Sequence, residues 1–405
     1  MRITGLRART ASIPVKAPTR HSYGSPGYYS RTIVEVSTDE GITGLGETYG
    51  TVSADSFAPL VPILVGEDPL NLERIRLQIS QRGYISRQPM LSSPIEQACL
   101  DISGKRFGVP VHQLIGGKVR DRVPVAAYLF YRYGDAAGQG AIESPEEMVA
   151  HARELVDEHG FSSLKLKGGV HEPEHEALTL EALRAAFGAN DFKLRFDPNA
   201  IWSPATAIRI GERIRGLELE YYEDPAWGLK GLQAVGRKVA MPIATNMAVI
   251  EFEQLGAAVE LGAIDVILSD PWYWGGIVHT KVLDAVAKHL GLAVGMHSGI
   301  EFGVGLATML HTAISMPNLV HAIDSHYHHL TDDVIRVPFK YEDGCMAPAD
   351  APGLGVELDE DKMQRYVEVN QKLRRGVLPG HATEDYYSYP TDPTRPDWYP
   401  IVPMW

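Results

Sequence analysis

The sequence predicts an α/β protein in which strands and helices alternate and the strands close into a barrel. Three observations support this prediction. Short apolar runs of strand character alternate with amphipathic helical stretches from about residue 123 onward. Polar residues stand at the ends of these runs, about 23 to 27 residues apart, which is the length of one strand–helix unit. Eight runs can be counted, near 123–130, 162–167, 193–197, 219–223, 241–246, 264–270, 292–297 and 319–326.

A closed barrel is favoured over the alternative, an open and doubly wound sheet. Repeated strand–helix units imply a parallel sheet in either case. An open sheet gathers its site at one switch point, whereas polar residues at many strand ends converge on the mouth of a barrel. The even spacing therefore predicts a barrel with its chemistry at the carboxyl ends of the strands.

The residues before the barrel predict a smaller domain of mixed α and β structure. Alternating stretches predict antiparallel strands in RITGLRARTASIPV, RTIVEVSTDEG and GITGLGETYG, and helical patterns follow from about 55 to 107. After about residue 350 the chain becomes rich in Pro and Tyr, and we expect an irregular tail that packs back onto the first domain. The expected domains are residues 1–118, 119–350 and 351–405.

The composition is that of an ordinary globular protein of 405 residues, with 44% hydrophobic and 22% charged residues. A net charge of −13 argues against nucleic acid as the main partner. No apolar stretch reaches the length of a membrane span, and the start MRITGLRART lacks the apolar core of a signal peptide. Two cysteines, Cys99 and Cys345, make no disulfide framework, so we expect a cytoplasmic protein.

Three oxygen-bearing side chains end three successive strands and predict a metal site. They are Asp197, Glu223 and Asn246. Oxygen ligands without cysteine or histidine suit Mg²⁺ rather than zinc. The alternative is that each residue caps a strand or forms a turn, since both Asp197 and Asp224 precede a proline. Three such residues at consecutive strand ends favour the metal site.

Two lysines, Lys165 and Lys167, end the preceding strand SSLKLK. Residues two apart on a strand point to the same face. If that face is the barrel interior, burial and a nearby cation would lower the pKa of a lysine and make it a base near neutral pH. The alternative is an edge strand with two solvated lysines, but the flanking glycines of KLKGG favour the interior.

Asp270 and His297 end neighbouring strands and predict a paired acid and base. An aspartate that accepts the imidazole Nδ1–H fixes the tautomer and raises the basicity of the ring. A lone histidine is more often structural. By the same argument Asp324 and His326 end the eighth strand, where His326 is either a substrate contact or a loop residue. No nucleotide loop or G-x-S-x-G pattern competes with this interpretation.

These stretches together resemble the enolase superfamily, in its mandelate racemase-like branch, over nearly the whole chain. They are GITGLGET, SPIEQACLDISGKRFGVPVHQLIGG, K-x-K at 165/167, D-P-N at 197–199, YYEDP at 221–225 and the 270/297 pair. Within that branch, PIATNM, DPWYWGG and AIDSHY are similar to glucarate dehydratases. The resemblance implies a modified TIM (β/α)7-8 barrel with an α+β capping domain formed by the N-terminal region and the C-terminal tail.

The resemblance also implies a Mg²⁺-dependent dehydratase that acts on an acid sugar and gives a 2-keto-3-deoxy acid. Lys167 and His297 would act on opposite faces of the α-carbon, Asp270 would orient His297, and Lys165 would help Mg²⁺ stabilise the enediolate. A homo-oligomer is expected from the family tendency. The implied substrate contacts are Tyr128, Phe130, Lys165, Asn199, Ser298 and His326.

Some positions depart from the glucarate dehydratase pattern. Gly299 stands where the family reads H-S-N, and an arginine expected in the tail is replaced around Thr383. His21 is a candidate substitute for a histidine expected in the first domain. These groups would bind the far end of a diacid, so a monoacid substrate stays open. Two alternatives also stay open: a racemase or epimerase with the same two bases, and a catalytically weak relative that serves as a partner subunit.

Overall fold

The computed structural model describes residues 1–22, 24, 27–82, 89–134 and 139–374. It begins with a three-stranded antiparallel sheet in the order β1-β2-β3. Gly44 and Gly46 lie on β3 where a Cβ atom would collide with the backbone of the long helix that covers the sheet. The glycines of GITGLGET therefore serve helix–sheet packing rather than a phosphate loop. The strands are β1 Ile3–Pro14, β2 Tyr28–Thr38 and β3 Thr43–Tyr49.

Helices complete this capping domain. The third helix runs through the interior, because twelve of its residues are buried between the sheet and the barrel. The helices are a 3₁₀ turn Ala54–Leu60, α1 Val61–Leu64, α2 Leu72–Arg82, α3 Pro89–Phe107 and α4 Val111–Leu114.

Eight parallel strands follow and form one continuous sheet, in the order β10-β9-β8-β7-β6-β5-β4-β11. A parallel bridge between Val294 and Leu319 joins β10 to the segment before β11, so the two ends of the sheet meet. The predicted barrel fold is therefore confirmed. The strands are β4 Val123–Phe130, β5 Ser163–Lys167, β6 Lys193–Asp197, β7 Tyr221–Glu223, β8 Ile243–Thr245, β9 Val266–Ser269, β10 Ala293–Met296 and β11 Ile323–Asp324.

Helices alternate with the barrel strands and pack outside them. The first, α5, begins at a capping box in which the Ser144 hydroxyl accepts from the Glu147 N–H, and it ends at Gly160 with a φ of 76°. These helices are α5 Pro145–His159, α6 Pro173–Ala186, α7 Pro204–Arg213, α8 Gly228–Gly236, α9 Phe252–Leu261, α10 Ile277–His289 and α11 Gly303–Ile314. Short 3₁₀ turns occur at Arg215–Leu217 and Tyr327–His329.

The chain after the barrel contains regular structure that the sequence pattern did not predict. A short strand, β12 Cys345–Met346, pairs antiparallel with β4. A helix, α12 Glu360–Arg374, lies against β1, where the Asn370 amide donates to the Ser12 hydroxyl at 2.9 Å. The expectation of an irregular tail is therefore wrong for this part, because the amphipathic stretch covers the capping sheet. Thr383 lies outside the described residues, and the domain boundaries stay predictions.

The capping sheet and the barrel share an apolar core. Tyr29 and Ile33 of β2 belong to one buried cluster with Phe302 and Val304 at the start of α11. Burial of this cluster joins the capping domain to the last helix of the barrel. Within the described residues, no helix combines the length and the apolar character that crossing a bilayer requires.

Candidate active site

The predicted site residues lie at the carboxyl ends of the barrel strands. Lys165 and Lys167 belong to β5, and Asp197 and Glu223 are the last residues of β6 and β7. Each of the remaining three directly follows a strand: Asn246 after β8, Asp270 after β9 and His297 after β10. The carboxyl ends of barrel strands open onto one mouth, which is where barrel enzymes carry their chemistry.

Lys165 is completely buried and lies between carboxylates. Its Nζ is 2.6 Å from Asp324 Oδ2, 2.5 Å from Glu223 Oε2 and 3.9 Å from Asp197 Oδ2. The ammonium group also faces the ring of Tyr128, 4.7 Å from its centroid. Burial opposes the charged form, but the attraction of Asp324 and Glu223 outweighs it and raises the pKa of Lys165 well above its usual value. The sequence expectation of a lowered pKa included a nearby cation, and it stays a prediction for Lys165 beside that cation.

Lys167 contacts the next strand rather than solvent. Its Nζ lies 2.5 Å from Asp197 Oδ2 and donates to Asn199 Oδ1 at 2.7 Å. Burial would raise the pKa of Asp197, but the two ammonium groups of Lys167 and Lys165 outweigh it and lower that pKa. Asn199 in turn donates to the hydroxyl of Ser22 at 2.6 Å, so the capping domain reaches the barrel mouth at this point.

Among the described residues, two buried oxygen atoms at the mouth have neither a hydrogen-bond partner nor an ion-pair partner. They are Glu223 Oε1 and Asn246 Oδ1. Glu223 Oε2 faces Lys165 at ion-pair distance, although the two are not aligned as a hydrogen bond. Buried polar atoms almost always have a hydrogen-bond partner, so two atoms without one at the same site indicate that a partner is missing. Carboxylate and amide oxygens are ligands that Mg²⁺ accepts, so this donor set fits the predicted ion.

The charge balance around Glu223 points the same way. Burial first, and the charge of Asp197 second, raise the pKa of Glu223 well above its usual value. A cation beside Asp197 and Glu223 would offset the repulsion between these two carboxylates. In the described part of the chain, no group of three His, Cys, Asp or Glu side chains is arranged to hold a metal. The predicted ligand set differs from such a group, because its third member is the amide oxygen of Asn246.

Asp270 and His297 form a pair across the ends of β9 and β10. His297 Nδ1 lies 2.8 Å from Asp270 Oδ2, which is contact distance, although the two are not aligned as a hydrogen bond. The other carboxylate oxygen of Asp270 accepts from the N–H groups of Trp272 and Tyr273, each at 2.7 Å. These two bonds orient the carboxylate toward the imidazole. Tyr273 also stacks on His297, with ring centroids 5.6 Å apart, and limits rotation of the ring.

The predicted substrate contacts Tyr128, Phe130 and His326 form one cluster of rings. The centroid of His326 lies 4.6 Å from that of Tyr128 and 5.2 Å from that of Phe130. Ser298 joins this cluster to the loop after β10, since its hydroxyl lies 2.7 Å from His326 Nδ1. Burial, with the charge of nearby groups, holds the pKa of His326 well below its usual value. The imidazole of His326 is therefore a neutral hydrogen-bonding group. Tyr128 contacts this ring, and the ammonium group of Lys165 faces the ring of Tyr128.

Comparison with known proteins identifies the family of this chain. Residues 3–116 match the mandelate racemase / muconate lactonizing enzyme N-terminal domain, and residues 147–362 match the enolase C-terminal domain-like family. The chain belongs to the enolase superfamily. It is 38% identical over 413 residues to a "probable glucarate dehydratase" of Streptomyces coelicolor, with 93% of each protein covered.

Solved structures of other enolase superfamily members share the fold. One from Mycobacterium smegmatis, complexed with tartrate, is 41% identical with a TM-score of 0.87, and the match covers 93% of each chain. One from Thermobispora bispora, complexed with magnesium and formate, is 40% identical with the same TM-score and covers 92% of this chain and 94% of its own. The resemblance predicted from the sequence is thereby confirmed for the superfamily.

Several buried groups of this enolase superfamily member were missed or left undecided by the sequence. The ring of Tyr49 fills the space beside Gly299 that a side chain at 299 would need. His21 does lie at the barrel mouth, with its ring centroid 4.9 Å from that of Phe130. Glu47, in the stretch GLGET, reaches the helix that follows His297. Only the position of Glu47 within a family stretch could have indicated this role, because its partners in the barrel, Phe302 and Gly305, are more than 200 residues away.

Proposed function

We propose that this protein is a Mg²⁺-dependent acid-sugar dehydratase of the glucarate dehydratase kind. The observation that carries the proposal concerns Glu223 Oε1 and Asn246 Oδ1, two buried oxygens without a partner among the described residues. They lie at the barrel mouth, where the strand ends also carry the amine of Lys167 and the imidazole of His297. Lys167 stands at the end of β5, and His297 stands at the end of β10, with the metal-ligand strands β6, β7 and β8 between them in the sheet. Such a layout offers a proton-transfer group at each side of a bound carboxylic acid.

The roles follow from the contacts of each side chain. Asp197, Glu223 and Asn246 would hold Mg²⁺, which when bound supplies positive charge to the substrate carboxylate. Lys165 adds its own charge close to that place and stabilises the enediolate that forms when the α-proton leaves. Lys167, as the neutral amine, accepts that proton at Nζ.

His297 completes the elimination. Because its Nδ1 faces Asp270, its Nε2 is the nitrogen that is free to carry a proton toward the substrate. It donates that proton to the β-hydroxyl, which leaves as water while the enediolate electrons form the carbon–carbon double bond. The enol product then tautomerises to a 2-keto-3-deoxy acid.

The relatives support this reaction class. Besides the Streptomyces protein, a "D-galactonate dehydratase family member RspA" of Halomonas elongata is 26% identical over 400 residues. A second candidate function is a racemase or epimerase, favoured by the two bases at separate strand ends. A relative from Bacillus cereus, 27% identical over 377 residues, is named "N-succinyl-L-Arg/Lys racemase". The two functions differ only in whether the β-hydroxyl leaves. Cytoplasmic location and homo-oligomeric assembly stay predictions.

The test is a screen of purified protein and Mg²⁺ against mono- and diacid sugars, read as keto-acid formation. A keto acid supports dehydration, whereas inversion without a keto acid supports the racemase. Exchange of the α-proton in deuterated water then distinguishes the role of Lys167 from that of His297. We expect Lys167→Met and His297→Asn to abolish product, each with the loss of exchange for one configuration at the α-carbon. Lys193→Met and His289→Asn are surface controls. Wild-type exchange in both active-site variants would refute the two-base mechanism.

A further inference from the structure

Glu47 is a completely buried carboxylate of the capping domain that touches the barrel. It lies on β3, and its Oε1 accepts from the Phe302 N–H at 2.8 Å. Its Oε2 accepts from the Gly305 N–H at 2.7 Å. Phe302 is the N-cap residue of α11, and its own side chain makes no capping bond. Glu47 therefore supplies, from another domain, the acceptor that helix N-termini need.

Arg31 extends this contact to the loop that carries His297. Its Nε donates to Glu47 Oε1 at 2.8 Å, and its Nη1 donates to the Gly299 carbonyl at 2.7 Å. Gly299 is two residues after His297. The buried Arg31–Glu47 ion pair therefore contacts both ends of the segment between β10 and α11. Arg31 binds near the start of this segment, and Glu47 binds at its end.

The backbone of Glu47 reaches the other half of the acid–base pair. Its carbonyl oxygen accepts from the indole Nε1 of Trp272. The backbone N–H of the same Trp272 donates to Asp270 Oδ1 at 2.7 Å. The carboxylate of Asp270 and the loop of His297 are therefore tied to one residue of β3. All of these groups are buried, and the bond to Asp270 is strengthened because its acceptor is a carboxylate.

We propose that Glu47 is a positioning residue that sets the distance and alignment of the Asp270–His297 pair. The proposal rests on the function proposed above, because it gives that pair the role of the general acid. In this role Glu47 acts through Trp272, Phe302 and Gly305 rather than through the substrate. Small shifts of a reacting group cost large factors in rate, so loosening either loop lowers the rate of the chemical step more than it weakens substrate binding.

Two variants test the proposal by independent changes. In Glu47→Gln an amide N–H must face a donor, because Arg31, Phe302 and Gly305 all donate to this carboxylate. In Gly305→Ala the Glu47 side chain is unchanged, but the new Cβ lies 2.6 Å from Glu47 Oε1 and displaces it. Alanine favours a helix over glycine, so Gly305→Ala does not weaken α11 by itself.

Each variant has a matched control. Asp101→Asn alters another buried carboxylate of the capping domain, whose partners Leu45, Lys105 and Leu354 lie outside both loops. Gly256→Ala changes a helical glycine with open space around it. We expect kcat to fall roughly 10- to 100-fold in both Glu47→Gln and Gly305→Ala, with little change in KM or Mg²⁺ affinity. Wild-type kcat in both, or an equal loss in the controls, overturns the proposal.

A second readout does not depend on turnover. The ¹⁵N and ¹H signals of the His297 imidazole, assigned by their loss in His297→Gln, report whether Nδ1 carries the proton that faces Asp270. We expect a single ordered tautomer in the wild type and in both controls, and a mixed or broadened signal in Glu47→Gln and Gly305→Ala. An unchanged imidazole signal in both variants overturns the proposal. If no acid sugar is turned over, the proposed function fails, and this measurement still decides the role of Glu47.

Discussion

The ring of Tyr49 occupies the space beside Gly299, so that any side chain at residue 299 would collide with it. Tyr49 also stacks on Tyr273, with centroids 5.6 Å apart, and lies under the guanidinium of Arg31. The glycine that departs from the family pattern is thus matched by an aromatic residue of the capping domain. The two positions are therefore in steric contact, and a side chain at 299 requires the Tyr49 ring to move.

This contact predicts the effect of substitutions at the two positions. Gly299→Ala alone should lower the free energy of unfolding by about 1–3 kcal/mol, because the Tyr49 ring must move within a packed core. Gly299→Ala combined with Tyr49→Ala should cost less than the sum of the two single changes. Urea unfolding of the four proteins measures the coupling. Gly188→Ala, at a glycine with open surroundings, is the control. Strictly additive costs would contradict the coupling.

Removal of the amide oxygen of Asn246 should weaken Mg²⁺ binding. Asn246 Oδ1 is a buried oxygen at the barrel mouth without a hydrogen-bond partner in the described part of the chain, and Ala offers no ligand in its place. We expect the affinity of Asn246→Ala for Mg²⁺ to fall roughly 10-fold or more, measured by calorimetry and by the rise in Tm that Mg²⁺ produces. Asn190→Ala, at an exposed asparagine, should bind as the wild type does. Equal affinity of the two variants would remove Asn246 from the ligand set.

Asp324 should be a stability residue as well as a neighbour of the site. It is completely buried and faces Lys165 at 2.6 Å and Arg195 at 3.4 Å. Asp324→Ala removes a carboxylate that balances the buried charges of Lys165 and Arg195. We therefore expect a loss of about 3 kcal/mol in the free energy of unfolding. Denaturant unfolding measures this loss, with Asp191→Ala on the surface as the control. A loss no larger than that of the control would show that Glu223 and Glu220 balance both cations without Asp324.

Glu96 should make the stability depend on pH. Burial, opposed by the hydrogen bond from the Val278 N–H, raises its pKa to about 7 from an ordinary 4.5. A raised folded-state pKa contributes stability below about pH 4.5 that is lost as pH rises to about 7. The stability of the wild type relative to Glu96→Gln should therefore fall across this window, by on the order of 3 kcal/mol. Urea unfolding at pH 5 and pH 8 measures it, and parallel pH dependences of the two proteins would refute it.

Much of the site could be predicted because it depends on residue patterns within short stretches of the sequence. The K-x-K spacing of Lys165 and Lys167 places both side chains on one face of any strand. Asp197 and Glu223 end short apolar runs, so their position at the barrel mouth follows once the runs are recognised as strands. By contrast, the helix α12 and the strand β12 were missed, because their stability comes from the surfaces they cover rather than from a strong local pattern.

The sequence by itself determined the strand–helix repeat, the membership of the enolase superfamily and the set of polar strand ends. These features depend on residue types and on spacings within one or two elements, and both can be read directly from the sequence. Only the tertiary structure decided that Asp324 raises the pKa of Lys165, that Tyr49 fills the space beside Gly299, and that Glu47 holds the loops of Asp270 and His297. Each of these joins positions 100 to 260 residues apart, where burial and the direction of hydrogen bonds depend on packing that no local pattern specifies.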